Sequence, residues 1–178
     1  MAKAMKKITL ILMILTAGLW ILNAGRTTGL FLSLSVTAST FLYHFGMRLL
    51  AGAAVNAIMH NRADYTSPWF RPKKWEKKLY RALQVKRWKQ KMPAYQPELF
   101  DGTKHTPDEI AQAMCQAEIV HEVIAVLSFI PLFAVNAVGS FPVFLVTSLL
   151  AASLDLSFAV IQRYNRPRVV RILEKRRK

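Results

Sequence analysis

The chain is poor in acidic residues and almost without cysteine. Ten aspartates and glutamates stand against 25 lysines and arginines, for a formal charge of +15. The single cysteine, Cys115, excludes an intramolecular disulfide and reads as a small buried hydrophobe. No glycine-rich phosphate loop, nucleophile elbow or paired-cysteine motif occurs, so a covalent serine mechanism has no support. No His/Cys cluster completes a zinc set. At 178 residues the chain has room for one domain.

What is present is segregated. Hydrophobic residues make up 53% of the chain, yet they and the basic residues occupy separate blocks. A soluble protein would scatter its charge over the surface of an apolar core. A basic excess suits nucleic acid or anionic lipid. Nucleic-acid modules do not usually carry long uncharged apolar runs between basic blocks, so the pattern points to a membrane and away from nucleic acid.

Four apolar runs predict an all-α polytopic membrane protein, a single membrane domain over residues 1–178. The first span is expected over 8–23, and the second over 29–59, with a cytoplasmic extension at its end. The third is expected over 119–138 and the fourth over 141–162. A basic and aromatic segment fills 60–116, and a basic tail fills 163–178. The second run carries no formal charge from Gly29 until Arg48, close to the roughly 20 residues a hydrocarbon core requires. The first run has the basic start and apolar middle of a signal peptide. Cleavage after Ala24 would put bulky Leu22 where a small residue is wanted, so it reads as a span. Short turns over 24–28 and at Gly139-Ser140 join the pairs, and Pro131 is expected to kink the third helix.

Orientation follows from the cations. Three precede the first span, twelve lie between His60 and Gln116, and eight run from Arg163 to the end. Only Arg26, in the first outer turn, and Arg48 remain. Both termini and the central segment are therefore expected on the cytoplasmic side.

In the central segment, Trp69, Trp75 and Trp88 alternate with Tyr65, Tyr80 and Tyr95 among cations. Trp75, Leu79 and Leu83 fall four apart, as in a helix lying in the interface with its lysines toward phosphates. Val85, Trp88 and Met92 repeat the pattern before Pro93. A soluble subdomain using the same aromatics as its core is the competing reading. Thr106-Pro107-Asp108-Glu109 has the form of a capped helix start that runs on into the third span.

Ionisable side chains inside spans are costly and mark candidate sites. His44 and Arg48, four apart, share a face of the second helix with Gly52 and Asn56. Glu118, His121 and Glu122 share a face at the start of the third. Asp155 lies eight residues before Arg163, roughly 12 Å deep at about 1.5 Å per residue. With this topology all converge on the inner leaflet. A histidine held by a carboxylate is a general-base arrangement, and Glu118 is the expected partner of His121. With a nearby arginine for an oxyanion or phosphate, this suits acyl transfer to a hydroxyl. Glu118-x-x-His121 is also half of a di-metal site, but a single copy leaves no metal expected. Asp155 with Arg48 could equally be structural glue. His60 and His105 read as ordinary interfacial residues.

Gln162-Arg163-Tyr164-Asn165-Arg166-Pro167-Arg168 resembles a signature of the glycosyl-4,4'-diaponeurosporenoate acyltransferase family, small bacterial membrane enzymes of carotenoid glycoside synthesis. Val85-Lys86-Arg87-Trp88-Lys89-Gln90-Lys91-Met92-Pro93 is similar to the family's basic Trp-Lys-x-Lys segment. Ala117-Glu118-Ile119-Val120-His121, followed by Ser128-Phe129-Ile130-Pro131, is similar to its Glu-x-x-His helix opening. The resemblance covers residues 84–175 and is loose over the first 80, so it says nothing of His44 or Arg48. It implies a bacterial inner-membrane enzyme that moves a fatty acyl group, with acyl coenzyme A as donor substrate and no other cofactor. The acceptor implied is a sugar hydroxyl of a lipid-linked glycoside, and membrane lipids complete the expected partners. By resemblance Glu118 and His121 are candidate catalytic residues. Arg163, Asn165, Arg166 and Arg168 are candidate ligands for an anionic group, and Pro167 is expected to break or restart the helix so that they project. The competing function is a non-enzymatic scaffold or anionic-lipid-binding subunit, which needs only the volumes and charges of these residues.

Overall fold

The computed structural model describes residues 2–25, 29–92, 96–139 and 141–176. The expectations for Arg26, Pro93, Tyr95, Ser140 and the last two residues lie outside that set. The described residues form helices and turns without strands. Two long helices, α1 (Ala2–Ala24) and α2 (Gly29–Met59), pack together. The connecting segment holds two short helices, α3 (Glu76–Ala82) and α4 (Val85–Trp88), and two 3-10 turns at Lys89–Lys91 and Pro97–Phe100. Then come α5 (Pro107–Leu127), a 3-10 stretch at Ile130–Ala134, α6 (Val135–Val138) and α7 (Phe141–Arg176). Four of these units are long and apolar enough to cross a membrane: Ala2–Ala24, Gly29–Met59, Pro107–Val138 and Phe141–Lys175.

The start of α5 follows its sequence. Thr106 accepts a hydrogen bond from the Glu109 amide, and the Glu109 carboxylate accepts one from the Thr106 amide at 2.8 Å. Proline at the first turn spends no needed donor. Pro131 does interrupt the third span. Lacking an N–H, it leaves the Leu127 carbonyl without its helical partner, and the Tyr43 hydroxyl of α2 donates to that carbonyl at 2.7 Å. The kink and the α2–α5 contact are thus one feature. Around it Met47 and Ala51 of α2 meet Ile124 of α5, flanked by Tyr43, Val120 and Leu127.

Two expectations change. The first helix begins at Ala2, before Lys3, Lys6 and Lys7, because long cationic side chains can extend from a helix end without breaking it. Pro167 does not break the helix: α7 runs through it to Arg176. Just before the proline, Arg163 and Arg166 are both tied to Glu118 of α5.

The central segment splits the two sequence readings between its faces. Phe70, Glu76 and Val85 are buried against the helices, as in a subdomain core. Trp75, Leu79 and Leu83 are exposed at 56%, 37% and 47%, as an apolar stripe facing outward.

Candidate active site

Two polar clusters occupy the seam where α5 packs on α7. The first joins three helices around Asp155, which is 2% exposed. His121 of α5 places Nδ1 3.0 Å from Asp155 Oδ1. Arg48 of α2 holds Oδ2 of the same carboxylate and donates to the carbonyls of His44 at 2.7 Å and Ala151 at 3.5 Å. The His121 ring stacks on Phe158, centroids 4.9 Å apart and planes 20° apart, which sets the plane of the imidazole. A carboxylate at Nδ1 favours the tautomer that donates from Nδ1, which would leave Nε2 as the acceptor. The His121 side chain is 19% exposed, whereas that of Asp155 is 3% exposed.

His44 lies one turn before Arg48 and is 7% exposed. Its ring meets the edge of Tyr43, and neither ring nitrogen has a hydrogen-bond partner among the described residues. Asn56, further along the same stripe, accepts from Gln116 at 3.1 Å, which ties the end of α2 to α5.

The second cluster centres on Glu118, whose side chain is fully buried. Arg163 Nη1 donates to Oε1 at 2.5 Å, and Arg166 holds Oε2. Arg163 Nε also donates to Glu76 at 2.8 Å, and its second amino group reaches the Trp69 carbonyl at 2.9 Å. Arg166 donates to the Phe70 carbonyl at 2.8 Å and lies over the Phe70 ring. Tyr80 donates to the other Glu76 oxygen at 3.0 Å. Burial, with Glu76 beside it, pushes the Tyr80 phenol above its ordinary range. Two carboxylates and two guanidiniums form a closed, internally neutral clasp that fastens α3 and residues 69–71 to α5 and α7.

The pairing expected from helix spacing is therefore corrected. The carboxylate that orients His121 is Asp155, and Glu118 is spent on the two arginines. A guanidinium offers a carboxylate charge and several donors, where a neutral imidazole offers one N–H, so the arginines win the contest for Glu118. The same clasp takes Arg163 and Arg166 away from any open anion site: Arg166 is 2% exposed. Asn165 accepts from Lys89 Nζ at 2.6 Å, and Arg168 donates to the Tyr164 hydroxyl at 3.0 Å on an exposed face. Glu122 accepts from the Trp69 indole at 3.3 Å. Among the described residues no three His, Cys, Asp or Glu side chains come together as metal ligands.

A family model for glycosyl-4,4'-diaponeurosporenoate acyltransferases matches residues 66–175. The chain belongs to that family. The match spans the central segment and both helices of the seam, and so contains every residue of the clasp and of the dyad His121–Asp155. Arg48 and His44, on α2, lie outside it. No curated protein and no solved structure matches the chain. Membership in this acyltransferase family makes the chain an enzyme of that class.

Sequence reasoning missed Glu76 and Tyr80. The available signal was Glu76 itself, one acid set among Lys73, Lys74, Lys77 and Lys78. A carboxylate in a lysine run on a membrane surface has no role there, which points to an internal partner.

Proposed function

We propose that this acyltransferase moves a fatty acyl group from acyl coenzyme A to a hydroxyl of a glycosylated isoprenoid or similar glycolipid at the cytoplasmic leaflet. The family description supports a carotenoid glycoside acceptor, and the cation distribution supports the leaflet. The observation that carries the mechanism is the dyad of His121 and Asp155, braced by Arg48.

In this reading His121 Nε2 takes the proton of the acceptor hydroxyl as its oxygen attacks the thioester carbonyl. The carbon–sulfur bond then breaks, and the imidazolium returns the proton to the departing thiolate. Asp155 holds the tautomer and stabilises the imidazolium, as a buried carboxylate beside a catalytic histidine does elsewhere. His44, buried one turn from Arg48 with both ring nitrogens unpartnered, supports a place for the acceptor's remaining hydroxyls beside the dyad.

Transfer of labelled acyl groups by the purified protein to a glycolipid acceptor tests the reading. His121→Gln should fold and insert normally yet lose about 10²- to 10⁴-fold in rate, the range for a positioned general base. Wild-type turnover in that variant would refute the assignment. Absence of transfer by the wild type with every glycolipid tried would favour the scaffold. Reporter fusions at Gly139 and at the C-terminus should report opposite sides, with the C-terminus inside; the same side for both would refute the leaflet assignment.

A further inference from the structure

Beyond the dyad and the clasp, α7 presents a second basic face. Tyr164 and Arg168 are four apart and share it. Arg168 Cζ lies 4.9 Å from the Tyr164 ring centroid, and Lys89 Nζ, from the 3-10 turn after α4, lies 4.8 Å from the same centroid. Two cations that share one ring are at most about 10 Å apart, a Debye length in 0.1 M salt, so they repel. Each other partner they have is neutral: Asn165 for Lys89 and the Tyr164 hydroxyl for Arg168. Among the described residues no carboxylate pairs with either. The clasp differs: one turn earlier on the same helix, Arg163 and Arg166 each hold an acid.

We propose that Lys89 and Arg168, set about Tyr164 with Asn165 beneath, form a binding site for a phosphate-bearing ligand. The ring edge-packs on Tyr80, centroids 5.4 Å apart, so the platform is braced through Tyr80 to the clasp. Partial burial, and then Arg168, pull the Lys89 ammonium below its ordinary range. A phosphate between the cations relieves that repulsion and gains charge-assisted hydrogen bonds. Two sources carry such chemistry: the phosphates of a coenzyme A thioester, or the headgroup of an anionic lipid. Assigning the ligand to the acyl donor rests on the acyl-transfer reading; the site itself does not.

Binding without turnover tests the site, so its failure is separate from failure of the dyad. Full-length protein in phosphatidylcholine nanodiscs is titrated with coenzyme A, and in a second arm phosphatidylglycerol retention is read by native mass spectrometry. Lys89→Gln and Arg168→Gln should each weaken binding about 10-fold or more, the loss of one charge-assisted contact, while Lys104→Gln, at an exposed turn, should not. Loss in the coenzyme A arm alone identifies the soluble donor, and loss in the lipid arm alone identifies a headgroup. No loss in either arm overturns the proposal. Should a variant fail to fold, the wild type decides. Inorganic pyrophosphate should protect Lys89, and not Lys104, from amine-reactive labelling read by peptide mass spectrometry, and equal labelling of Lys89 with and without it overturns the proposal.

Discussion

His121 and Asp155 stand 34 residues apart in the chain and 3.0 Å apart in space, Nδ1 against Oδ1. Among the described residues Asp155 is also the only side-chain anchor for Arg48, so one carboxylate serves both an imidazole and a guanidinium. Substitutions at its two ends should therefore differ. His121→Gln should cost rate alone, about 10²- to 10⁴-fold. Asp155→Asn should cost rate and stability together, because it strands the Arg48 charge in a buried seam, at about 3–5 kcal/mol. Turnover and thermal unfolding measured on both proteins check this; equal stability of the two would argue against the shared anchor.

Glu118 should behave in the opposite way to His121. Glu118→Gln removes the counter-charge of a buried arginine and should destabilise the protein by about 3–5 kcal/mol. The fraction that stays folded should keep its rate per molecule. Unfolding in detergent, paired with active-site titration, separates the two effects. A stable Glu118→Gln protein with no turnover would return Glu118 to the chemistry and break the clasp assignment.

The raised Tyr80 phenol makes a pH prediction. The folded chain holds this proton more tightly than the unfolded chain, so the linked stability is whole below the ordinary phenol value of 10.0 and is lost as pH rises beyond it. Tyr80→Phe should be less stable near neutrality by about 1 kcal/mol, the lost hydrogen bond. Its stability should then fall less steeply than the wild type's above pH 10.0. Lysines titrate in the same window but alike in both proteins, so the difference between the two curves isolates Tyr80. Parallel curves would contradict the Tyr80–Glu76 contact.

The outward stripe of α3 makes a prediction about the bilayer. Trp75, Leu79 and Leu83 are exposed in the folded chain, with Lys77 and Lys78 beside them. A protein retaining Trp75 as its sole tryptophan should emit at blue-shifted wavelengths in vesicles and be quenched by shallow brominated lipids. Emission like that of tryptophan in water would mean that the stripe faces solvent or a partner.

Much of this was legible along the chain. Apolar runs of spanning length define membrane helices whatever they pack against, because an unpaired backbone group in hydrocarbon costs too much for any other structure. The Thr106–Glu109 cap and the Pro131 interruption are local chemistry, readable within a few residues. The meeting of Arg48, His121 and Asp155 across three neighbouring helices follows the expected antiparallel order of the spans. The Arg48–Asp155 pair was already a reading of the sequence, but tertiary structure decided the partners of His121 and Glu118. Helix spacing places Glu118 beside His121, but a carboxylate binds the strongest donors within reach, and the register of α7 against α5 brings Arg163 and Arg166 there. That same register carries Asp155 to His121 and leaves Lys89 and Arg168 without an acid. Register depends on side chains meeting across a seam from distant parts of the sequence, which periodicity within one helix does not encode.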